Sequence, residues 1–137
     1  MPIQASRAKD AQGTVEVFPE YAEGLADLDG FSHIILLYHF HKSRQCRLRV
    51  VPFLDTQKRG IFATRAPSRP NPIGLSIVRL VSIAGNRLTV QGVDMLDGTP
   101  LLDIKPYVPE FDEREYVRIG WLENVRDHDP VSDDRFS

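Results

Sequence analysis

Thiol chemistry is nearly absent from this chain. Of 137 residues one is cysteine, Cys46, which excludes an internal disulfide and any metal site built on several thiolates. Long apolar runs are missing as well. No stretch approaches the length of a membrane-spanning helix, and the polar first ten residues hold no apolar core of a signal peptide, so the cytoplasm is the expected compartment. Net charge is small: 17 Lys and Arg against 19 Asp and Glu leave −2, with a pI near 6.1. Such a chain has no global positive field, and a nucleic acid would have to be held by a local basic patch. Glycine-rich phosphate loops and a serine-centred nucleophile elbow do not occur, which argues against a Rossmann-type cofactor site.

What is present fits one soluble globular domain. Hydrophobic residues make up 42% and charged residues 26%, enough apolar content for a single core. Residues 14–18 alternate apolar and polar, as a short strand does, and Pro19 stops them. Residues 20–28 read as a short helix with Pro19 near its start, closed by Asp29-Gly30. The most apolar run, 31–40, is bounded by turn signals and reads as a buried strand. Further strands are expected at 47–53, 76–83, 87–93 and 101–104, with Ala84-Gly85-Asn86 as a hairpin turn. Residues 109–114 read as an acidic loop, 117–125 as a short helix or an extended segment, and the rest as a polar tail. About seven short strands without a βαβ rhythm predict a mostly-β antiparallel barrel with short helical segments.

Against this background 60–76 stands out. Three prolines, Pro67, Pro70 and Pro72, fall within six residues. Each fixes φ, removes a donor and pushes its predecessor towards extended geometry, so the segment must be a stiff extended loop. It carries Arg65, Arg69 and Asn71 between apolar, strand-like flanks at 60–63 and 75–83. Guanidinium groups on a rigid loop suit an anion or a planar base, whereas a proline-rich surface turn with solvated arginines is the plainer alternative. The local basic patch is also here: Lys42, Arg44, Arg47, Arg49, Lys58, Arg59, Arg65 and Arg69 lie within 28 positions. Of these, Arg44, Arg47 and Arg69, together with Lys105, are candidate RNA contacts.

Other clusters are weaker. His33, His39 and His41 share one strand parity, yet no cysteine or carboxylate completes a ligand set, so packing or ligand hydrogen bonding is expected and no metal. Asp97-Gly98 is a turn signal, and Asp103, Lys105 and Tyr107 bring an acid, a base and an aromatic beside Pro106. Cys46 has no oriented base and reads as incidental.

The segments 60–67, 69–76, 97–107 and 28–34 together resemble the signature of the TsaA-like (TrmO-type) family, and the resemblance runs from about residue 2 to 109. It implies an S-adenosylmethionine-dependent tRNA methyltransferase that methylates N6 of N6-threonylcarbamoyladenosine next to the anticodon. It further implies a single-sheeted barrel over 1–109, a C-terminal extension over 110–137 packing on it, and a homodimer. Carried over residue by residue, the cofactor positions are Pro2, Ile3, Gln4, His41, Lys42, Arg65, Leu75, Asp97, Gly98, Thr99 and Pro100. A cation such as Arg65 or Lys42 suits the cofactor's carboxylate, and Leu75 with the Asp97 turn suits its adenine. Arg69, Asn71, Lys105 and Tyr107 are expected to align the substrate. Asp97 and Asp103 are either bases or, equally, a turn cap and a salt-bridge partner. Many family members carry arginine where Ile3 stands, and members usually begin with one more strand upstream of Met1; a truncated or misplaced start would leave a barrel edge open. A non-catalytic S-adenosylmethionine- or nucleotide-binding module and a plain RNA-binding barrel are the alternatives.

Overall fold

The computed structural model describes residues 2–4, 12–43, 45–92 and 98–128. Among them are eight strands: β1 (Pro2–Gln4), β2 (Gln12–Glu16), β3 (His33–His39), β4 (Arg49–Val50), β5 (Arg59–Gly60), β6 (Ile73–Ala84), β7 (Arg87–Gln91) and β8 (Thr99–Pro106). Two short α-helices, α1 (Pro109–Asp112) and α2 (Leu122–His128), and 3-10 helices at Pro19–Leu25, Leu28–Gly30 and Ile61–Ala63 complete the set. The mostly-β, antiparallel architecture with short helical segments expected from sequence is what the chain adopts. By its internal contacts it falls into two compact units, Met1–Lys42 with Ile73–Val108, and Ser43–Pro72 with Pro109–Ser137. One boundary, at 109, is expected from sequence; the contacts group the internal segment Ser43–Pro72 with the C-terminal part.

In the first unit six strands pair in the order β1-β2-β7-β6-β3-β8, and β8 pairs in turn with β1. All these pairs are antiparallel. The strand β1 lies outside the sequence-based expectation because three residues carry too little alternation to mark a strand. It pairs Ile3 with Val15 on one side and with Thr99 on the other.

The core follows strand parity. In β3 the even positions Ile34, Leu36 and Tyr38 are buried, while the odd positions from His33 to His39 are exposed or half-buried. Val15, Val17, Val78, Leu88, Val90 and Leu101 join them in one cluster. Two register shifts adjust that parity. In the β6–β7 pair the shift lies between Leu80 and Ser82, so Ile83 rather than Ser82 packs on the core. In the β3–β8 pair the shift at Leu37/Tyr38 passes the inward role from Leu101 to Ile104. One extra residue in one strand turns every later side chain to the other face. Gly74 is a close-approach glycine: a Cβ there would lie 2.6 Å from Tyr38 Cζ and 2.8 Å from Phe40 Cζ. The Tyr38 hydroxyl meets Ser76 Oγ at 3.0 Å, so the buried ring keeps its polar tip bonded.

The second unit holds the two-stranded sheet β4–β5, pairing Arg49 with Gly60 and Val50 with Arg59. The expected strand over 47–53 shrinks to Arg49–Val50, and the strand-like flank 60–63 is mostly the 3-10 helix Ile61–Ala63. Pro52 and Leu54 account for the first change: proline cannot donate to a ladder, and Leu54 adopts a left-handed φ of 66°. The expected helix over 20–28 is 3-10, the acidic loop contains the single turn of α1, and 117–125 becomes helical only from Leu122.

Candidate functional site

On the first unit the topology gathers one set of the expected cofactor residues at one end of the sheet. β3 runs out at His39, opposite Ile73, and Tyr38 stands opposite Leu101. His41 and Lys42 therefore leave the sheet where β6 brings in Leu75 and where β8 begins at Thr99 and Pro100. β1 sits at that same place, with Pro2 opposite Pro100 and Ile3 opposite Thr99. Gly98 has φ 80°, a conformation an L side chain rarely adopts, and this positions the turn that feeds β8. Thr99 is buried at 4% exposure, His41 is half-buried, Lys42 is exposed and Leu75 is 43% exposed. Asp97 lies outside the described residues, as does Arg44.

Lys105 and Tyr107 are not part of that gathering. Lys105 stands opposite Ile35, and the Tyr107 N–H donates to the His33 carbonyl at 3.1 Å, at the other end of β3. Lys105 is six residues along β8 from Thr99, about 20 Å at the usual rise per residue. A polar group surrounds this second place. The Tyr107 ring packs edge-on to His33 at 6.4 Å, and His33 Nδ1 meets Ser32 Oγ at 2.8 Å. Lys105 Nζ lies 3.3 Å from Asp103 Oδ2, and Asp103 Oδ1 accepts the Ile104 N–H at 2.8 Å. Both side chains are at least half exposed to solvent, so the pair is a weak, screened contact. Among the described residues no three His, Cys, Asp or Glu group as a metal site would need.

On the second unit the proline-rich loop is stiffened by bonds as well as by its prolines. The Thr64 N–H and hydroxyl both donate to the Ile61 carbonyl, at 3.1 and 3.0 Å, and the Ala66 N–H donates back to Thr64 Oγ1 at 3.2 Å. The Arg69 N–H closes a tight turn onto the Pro67 carbonyl at 2.8 Å. Arg69 differs from the freely offered cation expected from sequence. Its Nη1 donates to the Thr64 and Ala66 carbonyls at 2.7 and 3.1 Å, and its guanidinium lies 6.0 Å from the centre of the Phe62 ring. Arg65 and Asn71 are exposed.

A second brace was not legible beforehand. Arg59 Nε donates to Asp55 Oδ2 at 2.8 Å and its guanidinium lies 5.8 Å from the centre of the Trp121 ring. Trp121 Nε1 in turn donates to the Ala63 carbonyl at 2.8 Å, next to Thr64. The Arg59 hydrogen bond is the main reason the Asp55 carboxyl is held below its usual pKa of 3.8, and the backbone N–H groups of Thr56 and Gln57 add to the effect. Of the basic patch, then, Arg59 and Arg69 serve internal bonds, and Arg47 Nη2 donates to Gln45 Oε1 at 3.1 Å. Arg49, Lys58 and Arg65 are exposed. Nothing in the spacing of these arginines distinguishes a brace from a ligand contact; the carbonyl partners come from the folded loop.

Known proteins are similar to this chain in sequence and in fold. The model of the tRNA-methyltransferase O N-terminal domain matches residues 1–113. A Pyrococcus abyssi protein named "Probable S-adenosyl-L-methionine-binding protein" is 64% identical over 135 residues, covering 98% of this chain and 73% of its own. The human tRNA (adenine(37)-N6)-methyltransferase is 41% identical over 104 residues, 74% of this chain and 24% of that protein. The crystal structure of TrmO from Pseudomonas aeruginosa superposes with a TM-score of 0.70 at 38% identity, over 88% of this chain. The match spans 58% of that solved chain, so the chain is shorter than several proteins it resembles. On the strength of the model match and these identities, the chain belongs to the family of the tRNA-methyltransferase O N-terminal domain.

Proposed function

We propose that the chain is an S-adenosylmethionine-dependent tRNA methyltransferase whose target is N6 of N6-threonylcarbamoyladenosine next to the anticodon. The observation that carries this reading is the convergence of β1, the Gly98–Pro100 turn, His41, Lys42 and Leu75 at one end of a single ring of strands. Those segments are far apart in sequence, and the resemblance implies a cofactor contact for each. The names of relatives support the same reading: S-adenosyl-L-methionine-binding in Archaeoglobus fulgidus, and methylation of adenine 37 at N6 in the human protein.

The residues present fit that cofactor. Lys42 and Arg65 are exposed cations able to meet a carboxylate. Leu75 offers apolar surface, and the turn at Gly98–Pro100 offers backbone groups to an adenine. Bound S-adenosylmethionine supplies an electrophilic methyl group whose leaving group needs no acid. The chain has then to align N6, exclude water and handle one proton. The carbonyl substituent on N6 makes that proton more acidic than in adenosine, so alignment, by Asn71 and Arg69, supplies most of the rate. Asp103, bridged to Lys105, serves as its partner rather than as a base. Lys105 and Tyr107, about 20 Å from Thr99 along β8, hold parts of the tRNA beyond the target base. The protein acts as a homodimer in the cytoplasm. The outward face of β6 supports the dimer, with Ile73, Leu75, Ile77 and Val81 between 43 and 47% exposed beside Ile35 and Leu37 of β3.

Calorimetry tests the cofactor assignment. Arg65→Ala should bind S-adenosylmethionine weaker by ~1.5–3 kcal/mol, the worth of a hydrogen bond to a charged group, while remaining folded. Unchanged affinity in a folded variant removes Arg65 from the site. A second reading, a module that binds the cofactor without transferring methyl, is favoured by the archaeal relatives, whose names state binding alone. Binding without transfer to any tRNA would establish it.

A further inference from the structure

We infer that Phe62 is a stacking platform for an unpaired base of the RNA substrate, an inference that rests on the tRNA reading above. Phe62 is 76% exposed, although its neighbours are tightly held. Ile61, before it, is buried at 1% exposure and its N–H donates to the Leu48 carbonyl at 2.9 Å. Ala63, after it, accepts from Trp121 Nε1 at 2.8 Å. The 3-10 turn is closed by two bonds from Thr64 to the Ile61 carbonyl. A large apolar ring is thus presented to water on a backbone with little freedom to withdraw it. One side of the ring faces the Arg69 guanidinium, itself pinned by two loop carbonyls, which leaves the opposite side to solvent.

A single exposed phenylalanine needs no explanation. The surroundings of this one point to a polyanion. Segment 43–72 contains seven Lys or Arg against one Asp, and that Asp is paired with Arg59. Arg49 stands opposite Gly60 in the β4–β5 pair, and Arg65 follows Phe62 by three positions; both are exposed, as is Lys58. Aromatic rings set among cations are the usual means of holding single-stranded nucleic acid: cations follow the phosphates, and a ring accepts the face of any base. An acidic peptide would satisfy the charges but would gain little from a flat ring backed by guanidinium. The unpaired bases of an anticodon loop satisfy both.

The test uses the full chain, an anticodon stem-loop RNA, and a fully paired RNA of the same length, with binding followed by fluorescence anisotropy over a salt series. Phe62→Ala should weaken stem-loop binding roughly 5- to 150-fold, the range for loss of one stacked base. The dependence of log K on log salt should not change, since the ring carries no charge. Phe62→Trp should restore binding, and the paired RNA should be indifferent to all three side chains. Removing Arg49 or Lys58 should instead flatten the salt dependence by roughly 0.7 per cation. Wild-type affinity in Phe62→Ala, an equal loss for the paired RNA, or a change of oligomeric mass in the variant would each overturn the inference. The last would make Phe62 a protein contact. If the wild type binds S-adenosylmethionine but no RNA, the tRNA reading falls and this inference with it. If the wild type binds the stem-loop and Phe62→Ala binds it equally, this inference falls alone.

Discussion

In the barrel unit Val15, Ile34, Leu36, Leu88 and Val90 are completely removed from water. In the second unit the described side chains bury far less apolar surface: Ile61, Pro52 and Val125 are inside, while Leu48, Phe53, Phe62 and Phe111 are more than half exposed. What the second unit has instead is directed polar bonding. Arg59 links Asp55 to Trp121, Trp121 holds Ala63, and Arg69 holds Thr64 and Ala66. A fold held by burial leaves its surface cations free for other uses. A fold held by arginines spends some of them on itself, and counting basic residues then overstates the surface available to a ligand.

The comparison can be broken first in the barrel. Leu36→Ala removes a fully buried side chain and should cost about 2–5 kcal/mol, read as a lowered midpoint of urea unfolding by far-UV circular dichroism. A loss under about 1 kcal/mol would mean that burial is not what holds the barrel. A smaller and more local effect is expected from Arg69→Met, which keeps the apolar stem but removes the bonds to Thr64 and Ala66. It should destabilise the second unit by about 1.5–3 kcal/mol, with faster amide exchange around 64–69 and unchanged exchange in β3 and β6. Unchanged exchange at both places would show that the arginine is not a brace.

The smallest effect sharpens the role of Asp55. Its folded pKa lies below 3.8, so the stability it contributes is fully present above that pH and is lost as pH falls through the lower folded value. Trp121 is the only tryptophan and lies against Arg59, so its fluorescence reports on this brace. The signal should stay level from neutrality down to about pH 4 and change below that, and Asp55→Asn should abolish the step. A step centred well above 3.8, or one that survives in Asp55→Asn, would assign it to another group.

The barrel was the more legible of the two regions because its physics is periodic. Ile34, Leu36 and Tyr38 alternate with half-buried neighbours, and Gly85-Asn86, within the hairpin turn expected at 84–86, separates β6 from β7. Legibility failed where structure depends on partners distant in sequence. β1 has three residues and exists through its pairing with β2 and β8. The parity changes in β6 and β8 come from register shifts that no local pattern announces. The site behaves likewise. That 2–4 and 99–100 would be neighbours follows from strand order, while the separation of Lys105 from Thr99 follows from both lying on one extended strand, a fact hidden when 97–107 is read as one motif. Arg59 and Arg69 look like Arg49 until the carbonyls and the Trp121 ring are placed around them.

The central claim is methyl transfer to a particular nucleoside, and one assay addresses it. Wild-type protein is incubated with S-adenosylmethionine labelled in its methyl group and with two tRNA preparations, one carrying the N6-threonylcarbamoyl group next to the anticodon and one lacking it. The account predicts label in the first tRNA, recovered at N6 of the modified adenosine, and none in the second. Cofactor binding with no label in either tRNA, or equal labelling of both, would contradict it.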